Sequence, residues 1–342
     1  MRAAVLHSFG APLQVGEVPD PRPVGDEVLV RVRAAGICGT DLKIVSGMFS
    51  EITPPLIPGH EIAGVVVSAA GGLEAGQRVA CYFYDPCGEC RFCRAGDHSL
   101  CPSSRQLGFH RDGGLAEFVS VQRRNLVPFG HGLSFELAAV SMDAVVSPWH
   151  ALHRRAGLQA DEAVAVAGAG GLGLSGIAIA RAAGARVAAI DPLPAHRDAA
   201  LAMGAELAVE SGEWALIREW AGGGTDVALE ASGRRAGFDD AAASLRPGGR
   251  IVCCGYSPGV EYGLDSRRLA GEEITVLGSR AGTREDAHAA LAAVERGEIR
   301  PLIAERLPLE RVNDALDGLA AGGAVGRFVI DLSPSTSNEG EP

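Results

Sequence analysis

Residues 162–191 read EAVAVAGAGGLGLSGIAIARAAGARVAAID. The run EAVAVAG is short, apolar and unbroken, as a strand covered on both faces would be. Gly168, Gly170, Gly171 and Gly173 follow as G-x-G-G-x-G, with Leu172 inside the loop, and then an Ala-rich helical stretch. The strand, Gly-rich turn and helix together make a phosphate cradle. The glycines permit a tight turn and close approach of a pyrophosphate, and the helix N-terminus meets its charge. The next strand, RVAAID, ends in Asp191, 18 residues after Gly173. A carboxylate there accepts hydrogen bonds from ribose hydroxyls and repels a 2′-phosphate, so the stretch predicts NAD rather than NADP. The plainer reading of Asp191 alone is a polar strand end.

Downstream of this unit the alternation continues. PAHRDAALAMG, EWALIREWAGG and AGFDDAAASLRPGG read as helices between the strands AELAVE, TDVALEAS, RIVCCGY and EITVLGS. Such alternation predicts a parallel sheet with helices on both faces. Cys253 and Cys254 fall in RIVCCGY and read as buried strand residues. Before about Pro148 the character differs. MRAAVLH, VLVRVRAAGIC, EIAGVVVSAA and GQRVACYFY are short β-type runs set between Pro- and Gly-rich pieces, which predicts a mostly antiparallel β-domain. Beyond residue 281, two helical patterns and the strand GRFVIDL are expected to return to that first domain. The expected division is 1–147, 148–280 and 281–331, with a polar, disordered tail at 332–342.

Composition narrows the partners. The net charge of −11 argues against nucleic acid and against anionic membrane surfaces. No apolar run is long enough to span a bilayer. The opening MRAAVLHSFG has no apolar signal region, which sets the expectation of a cytoplasmic protein with reduced thiols.

Those thiols matter, because Cys87, Cys90, Cys93 and Cys101 stand as C-x2-C-x2-C-x7-C within residues 86–102. The spacing suits a closed tetrahedral thiolate site for one zinc ion. Disulfides would need an oxidising compartment, and an iron–sulfur cluster is the other soft-ligand option. Cys38, in GICGTDLK, and His60-Glu61, in PGHEIAG, form a looser set. A lone Cys or His is usually structural. Together they supply a thiolate and an imidazole, toward the three-ligand, open-position arrangement of a catalytic zinc.

Four motifs in this order, GICGTD, PGHEIAG, the four-cysteine lobe and GAGGLG followed by Asp191, make the chain resemble the zinc-containing alcohol dehydrogenases of the medium-chain dehydrogenase/reductase superfamily over residues 1–331. The resemblance implies an α/β fold: an N-terminal GroES-like β-domain plus a Rossmann, doubly wound parallel-sheet domain. It also implies two zinc ions and NAD. By the same likeness Asp143 takes the place of the third catalytic-zinc ligand and Ser147 the place of a nearby Thr at the cofactor. Cys38, His60 and Asp143 would then carry two negative charges. A helix cap or a surface carboxylate is the plain alternative for Asp143, although its setting in AAVSMDAVV makes an unpaired carboxylate costly.

The resemblance assigns further roles. Glu61 is an extra zinc ligand or a partner behind the metal. Thr40 hydrogen-bonds the substrate oxygen and starts a proton path. Lys43 stands where many relatives carry a His, and Asp41 is expected to keep its ammonium charged. Arg327 matches a phosphate-binding basic position, whereas Gly39 replaces another. Phe83 and Phe109 match pocket walls, with Met48, Phe49 and Trp149 expected to join them; core packing is the plain alternative for each. The implied reaction is reversible oxidation of an alcohol, secondary or aromatic by the apolar pocket, to a ketone or aldehyde with NAD⁺. Oxidation of a polyol, an amino-alcohol or a cyclic hydroxyacyl thioester stays open. A zinc-free quinone or enoyl reductase and a non-enzymatic NAD-sensing relative are the rival classes, and both sets of metal-ligating residues count against them. The expected partner is a small alcohol or carbonyl compound, and the expected assembly a homodimer or homotetramer.

Overall fold

The computed structural model describes residues 1–333, so of the expected tail 332–342 all but its first two residues lie outside the described residues. Six parallel strands form one sheet, in the order Leu207–Val209, Arg186–Ile190, Ala163–Ala167, Thr225–Glu230, Leu245–Cys253 and Thr275–Gly278. The chain runs outward from Ala163–Ala167 in one direction, then crosses back and runs outward in the other. Ligands of such sheets bind where the order reverses, at the carboxyl ends of the strands, and the loop 168–173 stands there.

The unbroken apolar run of Ala163–Ala167 has its reason in two-sided burial. Val164 and Val166 enter the larger core with Leu174 and Ile177 of the helix Gly171–Ala182. Ala165 and Ala167 point the other way, against Phe238 and Ala241 of the helix Arg235–Ser244. Period-two alternation of side chains thus feeds two cores from one strand.

A second sheet has the strand order Ile303–Pro308, Arg327–Asp331, Glu27–Ile37, Glu61–Val66, Arg78–Cys81 and Leu126–Pro128, with Phe118–Gln122 pairing the first half of Glu27–Ile37. It is antiparallel except where Ile303–Pro308 runs parallel to Arg327–Asp331. Phe328 stands opposite Ile37, so the end of the chain is woven beside the strand that leads into Cys38. Arg2–Val5 forms a separate ribbon with Gln14–Glu17. Strand Leu245–Cys253 ends three residues before the run RIVCCGY does. Cys254 lies beyond it, donates its backbone N–H to Glu230, and like Cys253 is only partly buried, because the chain is already turning toward the cleft.

Helical turns run from Phe135 to Arg155 and cross position 147/148 without a break. Two stretches of that run, Ser141–Val145 and His150–Arg155, are wide π turns. Pro148 supplies the reason for the first. It has no N–H to give, and its ring would crowd the carbonyl four residues back, so a wider turn relieves the clash. The helix Arg284–Glu295 packs against this run. Thr283 and Asp286 cap it reciprocally, with Asp286 Oδ2 accepting from the Thr283 N–H at 2.8 Å. Asp286 also binds His150 Nδ1 at 2.7 Å and Arg154 Nε at 2.8 Å. Tyr82, fully buried, donates its hydroxyl to the Gly282 carbonyl at 2.7 Å and ties the two sheets at the same place.

Burial opposes ionisation of Asp286, yet His150 and Thr283 hold its carboxyl down to about 2. A depressed carboxyl contributes stability above its unfolded value, and that contribution disappears as pH falls toward the folded value. Asp286→Asn should therefore lower stability at neutral pH by about 2–4 kcal/mol, from a lost cap and an orphaned cation. The deficit should shrink as urea denaturation is repeated at decreasing pH between about 5 and 2. A gap that stays constant with pH contradicts the assignment.

Candidate metal centres and cofactor cleft

Cys38 ends the long central strand and caps the helix Gly39–Val45. His60 and Glu61 open the neighbouring strand Glu61–Val66. Asp143 sits in the first π turn, where the widened coil turns its carboxylate into the cleft between the sheets. The ligand atoms of Cys38, His60, Glu61 and Asp143 all lie within 4.8 Å of one another, and all four residues are buried. Asp143 Oδ2 is 3.4 Å from Cys38 Sγ and 3.8 Å from His60 Nε2. Ser147 donates its hydroxyl to Asp143 Oδ1 at 2.7 Å.

So many acids in one buried place demand cations. Arg327, 5% exposed, donates Nε to Glu61 Oε1 at 2.9 Å and Nη2 to Asp143 Oδ2 at 3.2 Å, and Nη2 also stands 3.5 Å from Cys38 Sγ. Burial pushes the Glu61 carboxyl up while Arg327 pulls it back. Burial also works against the Asp143 carboxylate, but His60, Arg327 and Ser147 hold it well below the ordinary range. An ionised Asp143 beside a thiol and an imidazole is a metal-ligand set.

Orphaned polar atoms support the fit. Glu61 Oε2, His60 Nδ1 and Asp41 Oδ1 are buried without a hydrogen-bond partner. The last two face each other at 3.5 Å. That approach favours the proton on Nδ1 and leaves the Nε2 lone pair for a metal. Asp41 was expected to hold the Lys43 ammonium, and the structure corrects this. Asp41 turns inward, accepts the Cys38 N–H at 2.8 Å and is 1% exposed, because capping the helix draws its carboxylate under the turn. Lys43 turns outward, donates to the Tyr256 carbonyl and lies over the Tyr256 ring at 4.4 Å. Burial lowers its pKa, and the more distant Cys38, Asp143 and Glu230 offset this only in part.

The four-cysteine lobe meets a stricter test. Separations of 3.8 Å for Cys87–Cys93, 3.5 Å for Cys90–Cys93 and 3.6 Å for Cys87–Cys101 span the sulfurs, and none is disulfide-bonded. A tetrahedral zinc with bonds of ~2.3 Å sets its sulfurs ~3.8 Å apart. N–H groups of Glu89 and Cys90 pull the Cys87 thiol down to about 6, toward the thiolate that a metal requires.

The cofactor cleft opens beside the metal cluster. Gly170 leaves the helix Gly171–Ala182 without a side-chain cap, so its first N–H groups are free for phosphate. A side chain at Gly173 would strike the Gly168 carbonyl, and Gly168 itself has φ +89°, which explains glycine at both. A side chain at Gly171 would collide with the Arg327 guanidinium, which therefore touches both the metal cluster and the loop. Leu172 lies in the first helical turn. Asp191 Oδ2 accepts the Ala169 N–H at 2.7 Å and Oδ1 the Leu193 N–H at 2.9 Å, which places the carboxylate against the loop.

The rings of Phe83 and Phe109 stand 5.2 Å and 5.4 Å from the His60 ring, and Phe49 meets Phe109 at 6.1 Å. Of the other two pocket candidates, Met48 is 54% exposed, and Trp149 is partly buried and packs on His153 at 4.4 Å. Residue-by-residue reading passed over Glu230, whose buried carboxylate gathers Ser232, Gly233 and Tyr262 around the loop beyond its strand. Its place at the end of a parallel strand was the available signal.

Residues 25–131 match the alcohol dehydrogenase GroES-like domain, and residues 171–296 the zinc-binding dehydrogenase domain. An alcohol dehydrogenase of Geobacillus stearothermophilus is 36% identical over 97% of this chain and 100% of its own length. An NAD-dependent alcohol dehydrogenase of Sulfurisphaera tokodaii is 30% identical over 96% and 99% of the two chains. An acryloyl-coenzyme A reductase of Metallosphaera sedula is 30% identical over 96% and 99%. The crystal structure of the alcohol dehydrogenase from Aeropyrum pernix superposes with a TM-score of 0.90 at 30% identity, covering 97% of this chain and 100% of the other.

Zinc should be countable at these sites. Cys93→Ser should remove about one zinc per chain of two, measured by elemental analysis, and lower the melting temperature, because binding at the lobe is linked to folding. Retention of two zinc ions with an unchanged melting temperature contradicts this.

Proposed function

The chain belongs to the zinc-type alcohol dehydrogenases of the medium-chain dehydrogenase/reductase superfamily and is an NAD-dependent oxidoreductase that uses zinc; within that family we propose that it oxidises a hydrophobic secondary or aromatic alcohol to the ketone or aldehyde, reversibly. One observation carries the proposal. The buried Cys38–His60–Asp143 cluster lies under the aromatic pair Phe83 and Phe109, with Thr40 two residues from a ligand and the Gly-rich loop joined through Arg327. The four-cysteine lobe has no position left for a substrate, so its zinc is structural.

Cys38, His60 and Asp143 hold the catalytic zinc. Their two negative charges balance the ion, and the hard Asp143 oxygen in place of a second thiolate leaves it a stronger Lewis acid. Bound zinc supplies polarisation of a substrate hydroxyl, and bound NAD⁺ supplies the hydride acceptor. Asp41 orients His60. Glu61, paired with Arg327, keeps that guanidinium in place between the cluster and the loop. Phe83 and Phe109 exclude water and press an apolar substrate toward the metal side. Thr40, in the first turn after Cys38, takes up the substrate's hydroxyl proton. Asp191 receives the adenosine ribose, and Ser147 holds Asp143 in the ligating rotamer. Assembly as a homodimer or homotetramer belongs to this reading. The sheet's open edge at Thr275–Gly278, with Val276 46% exposed, favours it.

A panel of alcohols with NAD⁺, read by NADH absorbance, tests the substrate class. Aromatic and secondary alcohols should give the highest kcat/KM; a preference for polyols or amino-alcohols overturns it. NAD⁺ should exceed NADP⁺ in kcat/KM, and Asp191→Ala should narrow the difference; equal use of both by the unmodified enzyme contradicts the ribose role. Thr40→Val should reduce kcat by roughly 10²-fold or more, the scale of lost acid–base help, whereas Lys43→Met should cost much less. The reverse ranking refutes the assignment of the proton path.

A further inference from the structure

Glu230 ends the strand Thr225–Glu230 and stands opposite Ala167, the last strand residue before the Gly-rich loop. Between these two strands the order of the parallel sheet reverses, so the loops that follow them border the crevice where a dinucleotide lies. The Glu230 side chain is fully buried, and donors from two segments converge on it. Oε1 accepts the Ser232 N–H at 2.9 Å, the Gly233 N–H at 3.0 Å and the Ser232 hydroxyl. Oε2 accepts the Tyr262 hydroxyl at 2.9 Å, and the Tyr262 ring stacks on Phe238 at 4.5 Å. The Glu230 carbonyl takes the N–H groups of Cys254 and Gly255, both at 2.9 Å. One residue therefore gathers residues 231–233 and the segment 254–262 beyond the strand Leu245–Cys253. The gathered loops touch at backbone distance. A Cβ at Gly168 would lie 2.8 Å from the Ser232 Cβ, and one at Gly233 would lie 2.8 Å from the Tyr256 backbone.

We propose that Glu230 is a positioning residue for NAD, its carboxylate holding residues 231–233 and 254–262 together as one preformed wall of the cofactor crevice. The inference rests on that crevice being the NAD site. A carboxylate is a pure acceptor, so it can satisfy the hydroxyls of Ser232 and Tyr262 and the two backbone N–H groups at once, and hydrogen bonds to a charged acceptor are the strong ones. The same donors disperse its negative charge, which lets an acid stand at the border of a crevice built for an anion. Without the carboxylate, nothing in the loop sequence holds this shape. Gly233 has φ +67°, and Gly255 and Gly259 add freedom to the second segment. A crevice that is formed for only part of the time binds its ligand more weakly, by the inverse of the fraction formed, while the bound state stays the same. The signature of Glu230 is thus coenzyme affinity rather than turnover. The wall is also gripped from the other sheet, because Lys43 donates to the Tyr256 carbonyl within the second segment.

Tyr262→Phe keeps the ring on Phe238 and removes only the hydroxyl that Glu230 holds, whereas Glu230→Ala removes every bond of the carboxylate. The zinc-loaded protein is titrated with NADH and followed by NADH fluorescence, with no alcohol present. Kd should rise about threefold in Tyr262→Phe and about tenfold or more in Glu230→Ala, as the fraction of formed crevice falls. KM for NAD⁺ should rise in parallel, kcat at saturating NAD⁺ should fall by no more than about twofold, and zinc content should not change. An unchanged Kd in Tyr262→Phe overturns the proposal, and that variant decides alone should Glu230→Ala fail to fold. A fall in kcat without a change in Kd overturns it too. A third variant separates the role of Glu230 from the location of the cofactor. A Cβ at Gly170 meets nothing within 4 Å, so Gly170→Val should fold and crowd the loop. Loss of NADH binding in Gly170→Val beside unchanged binding in Tyr262→Phe refutes the role of Glu230 alone. Unimpaired binding in Gly170→Val refutes the crevice as the NAD site, and the inference falls with it.

Discussion

The structure depends on the neutralisation of acids that it buries. Asp41, Glu61 and Asp143 meet Cys38 in one volume, and none of the three carboxyl residues is more than 9% exposed. Isolated charges in such a place are prohibitively costly, and only close opposite charge offsets the lost hydration. Arg327 brings one cation to three of these groups and His60 lies against Asp41 and Asp143. Arg327 is separated from Cys38 by 289 residues. The return of the chain's last described strand to lie between Ile303–Pro308 and Glu27–Ile37 is what places the guanidinium there, so the topology of the antiparallel sheet and the electrostatics of the cluster are one problem.

The same requirement shapes the connection between the sheets. Asp143 must enter the cluster from a helix, and the helical run from Phe135 to Arg155 widens where it does so. Further along, His150 and Arg154 anchor the run to Asp286 at the cap of another helix. The middle of a single rod therefore holds a metal ligand and its far end is pinned by an ion-paired cap. Tyr82 and Gly282 close the contact from the side of the antiparallel sheet. Binding geometry on one side of the cleft is thereby fixed relative to the other by short-range, directional bonds rather than by apolar packing alone.

Much of this was legible in the sequence, for identifiable reasons. The loop 168–173 declares itself because glycine is needed at Gly168 and Gly173 on steric grounds, and steric needs leave compositional traces. The four cysteines declare themselves because one ion must be reached from a short loop. The alternation of strands and helices follows from the period of burial. Other features left no such trace. Asp41 lies two residues from Lys43, and sequence nearness suggested an ion pair; whether its carboxylate turns under the helix start or out along the surface is decided by the Cys38 N–H and by His60, which is distant in sequence. The wide turn at Asp143 depends on the interplay of Pro148 with the carbonyls before it. Tyr256 reaches Lys43 across 213 residues, and nothing local distinguishes it from any other tyrosine after a strand.

The two metal centres differ in how far along the chain their ligands are spread. Cys87 and Cys101 are 14 residues apart, whereas Cys38 and Asp143 are 105 apart and the guanidinium that balances them comes from the far end of the chain. Closing a short loop costs little chain entropy and closing a long one costs more, and long-range contacts form later. During synthesis the four-cysteine lobe can capture its ion while most of the chain is still on the ribosome. The other centre reaches its charge balance only after Arg327 has emerged and the final strand has docked. The topology thus lets the lobe assemble its ligands early, while the site between the sheets lacks its charge balance until the last described strand has docked.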